Sequence, residues 1–223
     1  MGKSSTIRPS FRETRSFRIL MLGSSGVGKT SIITRLLYDK VKDYHQKTFQ
    51  DMYCGFFDLC GEKMILDIED TSGTFALDFP AMLGVSVMAA DAVLLVFDVT
   101  REESFEEVSK LRDLISSLDH CGNIPIIVLA NKTDKKWNVS RDELEVTVRL
   151  DWECGFVECS ALDSESVDML LARVVSLIKK NMNIRTVCDE RHLENCLIRR
   201  QSFPEMSSGK TKHQKKKQSC NIS

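Results

Sequence analysis

A chain of 223 residues in which 42% are hydrophobic can bury one good core and leaves room only for a small second unit. Its net charge of -1 hides an asymmetry: residues 181–223 hold nine Lys and Arg against four Asp and Glu, and residues 1–16 hold four against one, so an acidic body lies between two basic ends. Basic ends suit an anionic surface. No apolar run approaches the roughly 20 residues that cross a bilayer, which excludes a spanning helix. The eight cysteines sit at irregular spacings with no secretory leader ahead of them, and the expectation is reduced thiols, Cys54, Cys60 and Cys159 among them.

Residues 1–16 carry hardly any large apolar side chains, so burial cannot offset the entropy of ordering them, and they read as a flexible basic arm. From Phe17 onward short apolar runs alternate with amphipathic stretches. The runs Phe17 to Leu22, Met52 to Leu59, Met64 to Ile68, Ala92 to Val99, Ile124 to Ala130 and Phe156 to Cys159 predict six strands, the second and third joined as a hairpin through Gly61. Apolar residues three and four apart predict helices over Lys29 to Tyr38, Glu103 to Leu118, Ser140 to Leu150 and Ser164 to Lys180. Alternation of this kind implies an α/β fold, a six-stranded, mainly parallel sheet with helices on both faces. Ligands of such sheets bind beyond the carboxyl ends of the strands. Three regions follow: the arm 1–16, a body 17–180 and a basic extension 181–223. In that extension, residues 187–201 have too thin an apolar face for a firm helix and read as a disordered linker.

The chemistry-bearing motifs fall after the expected strand ends. Gly23-Ser24-Ser25-Gly26-Val27-Gly28-Lys29-Thr30 fits a phosphate-binding loop, in its required setting between a strand and a helix. Backbone N–H groups of Ser25 to Ser31 and the helix N-terminus would face phosphates, Lys29 would reach the terminal ones, and the Thr30 hydroxyl would ligate magnesium. Asp70-Thr71-Ser72-Gly73 follows the third strand and places a carboxylate where a magnesium shell needs one. Asn131-Lys132-Thr133-Asp134 follows the fifth. The Asp134 carboxylate can accept from guanine's ring N–H and exocyclic amine, a donor pair adenine lacks, and Lys132 can lay its stem over the base. Cys159-Ser160-Ala161 ends the last strand, where Ser160 and Ala161 would let a backbone N–H reach the guanine carbonyl.

These four motifs, in this order and at these spacings, resemble the Ras family of small GTPases from about Phe17 to Lys180. The resemblance implies a G domain of the P-loop NTPase kind that binds GTP or GDP with Mg2+, hydrolyses GTP and acts as a signalling switch. It further implies that Thr48 in the first switch loop coordinates magnesium beside Thr30 and Asp70, and that Lys29, Thr48, Gly73 and Thr74 surround the reacting phosphate. Thr48 to Tyr53 would form the effector edge, with an exchange factor and a GTPase-activating protein as further partners; Gln50 stands where Ras carries an acidic residue. An ATP-dependent P-loop kinase is disfavoured by Asn131 to Asp134.

Three departures bear on catalysis. Thr74 takes the place of the glutamine that orients water in Ras, Ser25 replaces a phosphate-loop glycine, and Leu162 replaces a lysine beside the base. Slow intrinsic hydrolysis is expected, and an alternative is a mostly GTP-loaded binding module with little turnover. The Asp70-Thr71-Ser72-Gly73 motif, the opening of the phosphate loop and the long basic extension look most like the Rhes and dexamethasone-induced Ras branch. The closing residues Cys220-Asn221-Ile222-Ser223 fit a prenylation box with a polar exception at Asn221, and Lys210, Lys212, Lys215, Lys216 and Lys217 supply the basic second signal. A lipid-anchored position on the cytoplasmic face of the plasma membrane or an endomembrane is therefore expected, with no nucleic-acid partner. Met1 to Thr6 also fits a myristoylation pattern at Gly2.

Overall fold

The computed structural model describes residues 14–40, 50–118, 124–184 and 198–201. Seven strands form one sheet: β1 (Arg15–Leu22), β2 (Gln50–Leu59), β3 (Glu62–Thr71), β4 (Ala92–Asp98), β5 (Ile126–Asn131), β6 (Gly155–Glu158) and β7 (Ile198–Gln201), in the order β6-β5-β4-β1-β3-β2-β7. Strands β3, β1, β4, β5 and β6 run parallel, and β2 is antiparallel to β3 across the two-residue turn Cys60-Gly61. The six expected strands are all present.

Burial explains the layering. Every residue of β4 is buried, as a central parallel strand covered on both faces requires. Alternation along β1 divides its side chains: Phe17, Ile19 and Met21 join one core with α1 (Lys29–Tyr38) and α6 (Ser164–Asn181). Leu20 and Leu22 join the other, with α2 (Phe75–Asp78), α3 (Pro80–Ala89), α4 (Glu102–Ser116) and α5 (Arg141–Val146). The period-2 geometry of a strand sends neighbours to opposite faces. Helix α6 starts on a firm cap, with the Asp163 carboxylate accepting from the N–H groups of Glu165 and Ser166.

Four features depart from the sequence expectations. Residues 198–201, expected as linker, form β7 and pair antiparallel with Phe56 to Leu59. The anchor is Arg200, whose guanidinium donates to the Leu36 carbonyl at 2.7 Å and to the Asp168 carboxylate, tying the strand to α1 and α6. Helices α2 and α3 fill a stretch that carried no periodic signal, because α3 is apolar on nearly every side: Leu83 and Val87 are buried while Met82, Val85 and Met88 are exposed. The helix expected to reach Leu150 closes instead through a wider turn, Thr147–Asp151, that is π-helical. Cys54, Cys154 and Cys159 are free thiols as expected, but Cys60, partly buried at the hairpin turn, is disulfide-bonded. Among the described residues no helix is long and apolar enough to cross a membrane.

Candidate functional site

The phosphate loop lies between β1 and α1, and the carbonyls of five successive residues are all engaged. Lys29 Nζ donates to the Gly23 and Ser24 carbonyls at 2.7 and 3.2 Å. Arg101 donates to Ser25 at 3.0 Å, Lys132 to Gly26 at 2.8 Å and Asn131 Nδ2 to Val27 at 2.7 Å. A loop whose carbonyls are taken up in this way presents its N–H groups to an anion, and the N-terminus of α1 adds positive potential there. Gly28 opens that helix with φ 102, and a Cβ on it would lie 2.3 Å from Asn131 Nδ2, so only glycine fits between loop and asparagine.

Lys29 is buried, and burial lowers its pKa to about 8 while the nearby Asp70 charge pulls it back up. A polyanion between the loop N–H groups and this ammonium would raise its pKa back toward the ordinary lysine range. Asp70, fully buried at the end of β3, accepts from the Thr30 hydroxyl at 2.6 Å. A carboxylate and a hydroxyl in contact are hard oxygen donors of the kind magnesium takes, with phosphate oxygens and waters completing its shell. The pair fits such an ion.

Asn131 is the junction of the site. Its Nδ2 holds the phosphate loop through Val27, and its Oδ1 accepts from the Ala161 N–H at 3.2 Å. Nearby, the Ser160 hydroxyl donates to the Asp134 carboxylate at 2.5 Å, fixing the exposed acid with its second oxygen available. Lys132 sits in the left-handed region at φ 67, a strained conformation for a non-glycine residue held by its contacts to Gly26 and Asp98. Motifs joined by contacts across 104 and 106 residues of chain thus meet at the carboxyl ends of β1, β3, β5 and β6.

The family model for the Ras family matches residues 18–180. The chain belongs to the Ras family. Among its relatives, the human GTP-binding protein Rhes is 33% identical over 175 residues, covering 74% of this chain and 65% of Rhes. The rat GTP-binding protein Rit2 is 27% identical over 179 residues, covering 80% and 82% of the two chains. The human GTP-binding protein Di-Ras1 is 29% identical over 174 residues, covering 77% and 87%. The chain therefore spans just under two thirds of the length of the Rhes relatives it matches.

Within this Ras-family cleft the expected residues divide into three groups. Gly23, Ser25, Gly26, Val27, Gly28, Lys29, Thr30, Asp70, Gly73, Asn131, Lys132, Asp134, Ser160 and Ala161 are joined by the contacts above and by the packing of Gly73 on Ser25, and Ser31 follows Thr30 in the first turn of α1. Thr74 is nearby but engaged elsewhere: it is exposed and its hydroxyl donates to Asp78 at 2.5 Å, in the first turn of α2. Thr48, Cys220, Gly2 and the five tail lysines lie outside the described residues.

Sequence reasoning missed the residues that support this shell. Arg35 of α1 donates to the carbonyls of Ala161 and Leu162 at 3.0 and 2.9 Å, holding the base-side loop against the phosphate side. Glu69, buried beside Asp70, accepts from Gln50 at 2.6 Å and from Ser86 at 2.8 Å, so it links the start of β2 to α3. A carboxylate at the end of a strand otherwise reading Ile-Leu-Asp-Ile is the one signal that could have marked Glu69.

Proposed function

We propose that this chain is a GTP/GDP-regulated switch that binds guanine nucleotide with Mg2+ and hydrolyses GTP. The observation that carries the reading is Asn131, which joins the phosphate loop at Val27 to the base-side loop at Ala161 while Asp134 stands beside it with one oxygen held by Ser160. Such a cleft reads a guanine edge and a polyphosphate at once. Lys29 would neutralise charge that develops on the terminal phosphoryl group as water attacks it, and loop N–H groups would hold its oxygens. Thr30 and Asp70, with Thr48 as the family resemblance implies, would hold magnesium, which when bound would supply further charge neutralisation there. Gly73, packed on Ser25, would bring its N–H to the terminal phosphate and lose that contact on hydrolysis.

Turnover by the chain alone is expected to be slow, because the Thr74 hydroxyl is turned to Asp78. The same observation supports a second reading, a mostly GTP-loaded binding module. Effectors would add a strand to the outer edge of β2 over Thr48 to Tyr53. Strand β7 supports this placement, since it covers only Phe56 to Leu59 and leaves Gln50 to Gly55 without an outer strand among the described residues. Exchange and activating proteins would act on the same cleft. Prenylation at Cys220 with the lysine cluster would hold the chain on an anionic cytoplasmic membrane surface, since one lipid chain alone binds only marginally.

Protein purified without added nucleotide should carry bound GTP or GDP in about one equivalent, and single-turnover assays with labelled GTP should release phosphate. An adenine nucleotide in the protein, or none with no GTP binding, would overturn the reading. After treatment with a prenyltransferase and its lipid donor the native chain should bind anionic vesicles and Cys220→Ser, which has no thiol to take the lipid, should not; a Cys220→Ser protein still fully bound would shift attention to Gly2.

A further inference from the structure

Asp98 ends β4 directly beside Asn131 in the β4–β5 ladder, and its side chain is almost wholly buried. A carboxylate in that position is costly unless cations and hydrogen bonds compensate it. Here they do, in an arrangement that reaches beyond Asp98 itself. Oδ1 accepts from the Thr100 N–H at 3.0 Å and its hydroxyl at 2.7 Å. Oδ2 gathers two cations, Lys132 Nζ at 2.6 Å and Arg101 Nε at 3.4 Å.

Both cations then leave Asp98 for the same place. Arg101 donates through Nη2 to the Ser25 carbonyl at 3.0 Å, and Lys132 donates to the Gly26 carbonyl at 2.8 Å. One buried carboxylate therefore holds two consecutive peptide groups of the phosphate loop, through one side chain from the β4–α4 turn and one from the base-reading loop. We propose that Asp98 is a positioning residue which, with Arg101 and Lys132, clamps the phosphate loop to the base-reading loop and so sets how slowly guanine nucleotide leaves the site. This rests on the nucleotide-binding reading above.

The physical argument has two parts. A bound nucleotide bridges the two loops, so it leaves when either loop moves from the other, and charge-assisted hydrogen bonds from a common anchor penalise that separation. Arg101 and Lys132 also compete for one oxygen. Without the carboxylate each is a solvated cation free to swing away; with it, both are directed at the loop before nucleotide arrives. Burial pushes the Asp98 pKa up, but the Lys132 and Thr100 hydrogen bonds outweigh it and hold the acid below its ordinary range, so it stays ionised at neutral pH.

The test is release of N-methylanthraniloyl-GDP from the full-length chain with magnesium present, chased with excess GDP. Asp98→Asn should speed release about tenfold, and Arg101→Ala several-fold, with Arg101→Lys between it and the native protein because the charge survives but the fork to Ser25 does not. The double variant Asp98→Asn with Arg101→Ala should release no faster than about the Asp98→Asn single, since both lesions break one unit. Val148→Ala is the structural control. It empties core space in the π-helical turn Thr147–Asp151 and should lower thermal stability without altering release.

Release from Asp98→Asn and Arg101→Ala within twofold of native, or fully additive effects in the double variant, would overturn the clamp. Should Asp98→Asn fail to fold, Arg101→Ala decides alone, because Arg101 is exposed. A native protein that retains no labelled GDP would overturn the nucleotide reading and the clamp with it, a result separate from retention with unchanged release.

Discussion

Gly73 and Ser25 touch backbone to backbone: a Cβ placed on Gly73 would stand 2.2 Å from the Ser25 nitrogen and 2.6 Å from its Cα. No side chain can occupy position 73 unless the phosphate loop or the following segment moves. Gly73→Ala should therefore keep GDP binding within about threefold while reducing the preference for GTP about tenfold, because closing this segment on a terminal phosphate is what the methyl group blocks. Competition of GTP and GDP for the labelled nucleotide measures the ratio. An unchanged ratio would remove Gly73 from the switch.

Base choice rests on Asp134. The Ser160 hydroxyl donates to one of its oxygens at 2.5 Å and so restrains the rotation of the carboxylate. Asp134→Asn should weaken GTP by about two orders of magnitude and favour xanthosine triphosphate, whose edge presents a carbonyl where guanine has an amine. Ser160→Ala should cost less, about tenfold, since it loosens the acid without removing it. Equal GTP affinity in native and Asp134→Asn proteins refutes the assignment.

Thr74 caps α2 and donates to Asp78, both exposed. A glutamine amide reaches farther and can orient water, so Thr74→Gln should raise the single-turnover hydrolysis rate several-fold. Rates equal to or below native would place the limitation at Ser25 instead.

Arg200 ties strand β7 to α1 and α6 through the Leu36 carbonyl and the Asp168 carboxylate, beside the ladder the strand shares with β2. Arg200→Ala should raise amide exchange at Phe56 to Leu59 by about tenfold or more while leaving β1, β4 and β5 protected. Nucleotide affinity should not change, since β7 lies at the opposite edge of the sheet from β6. Unaltered exchange at Phe56 to Leu59 would show that the strand is held by its backbone ladder alone.

The sequence by itself determined strands β1 to β6, helices α1, α4 and α6, and the positions of the nucleotide motifs. Each of these is a local matter. The apolar run Ala92 to Asp98 is too short for a buried helix and rich in Val, Leu and Phe, which favours a buried strand, and Gly23 to Thr30 carries its chemistry and its strand-to-helix setting in one contiguous segment. The tertiary structure decided what depends on distant partners. Strand β7 has four residues, two of them arginines, and becomes a strand only because the outer edge of β2 offers it a ladder some 140 residues away in the chain. Helix α3 has no polar face to give it a period, and its existence follows from where Leu83 and Val87 find a core. Asp98, Arg101, Arg35 and Glu69 read along the chain as ordinary charges. Their roles follow from burial beside groups of other segments, because a buried charge takes its meaning from its partners and sequence distance says nothing of which partners the fold will bring.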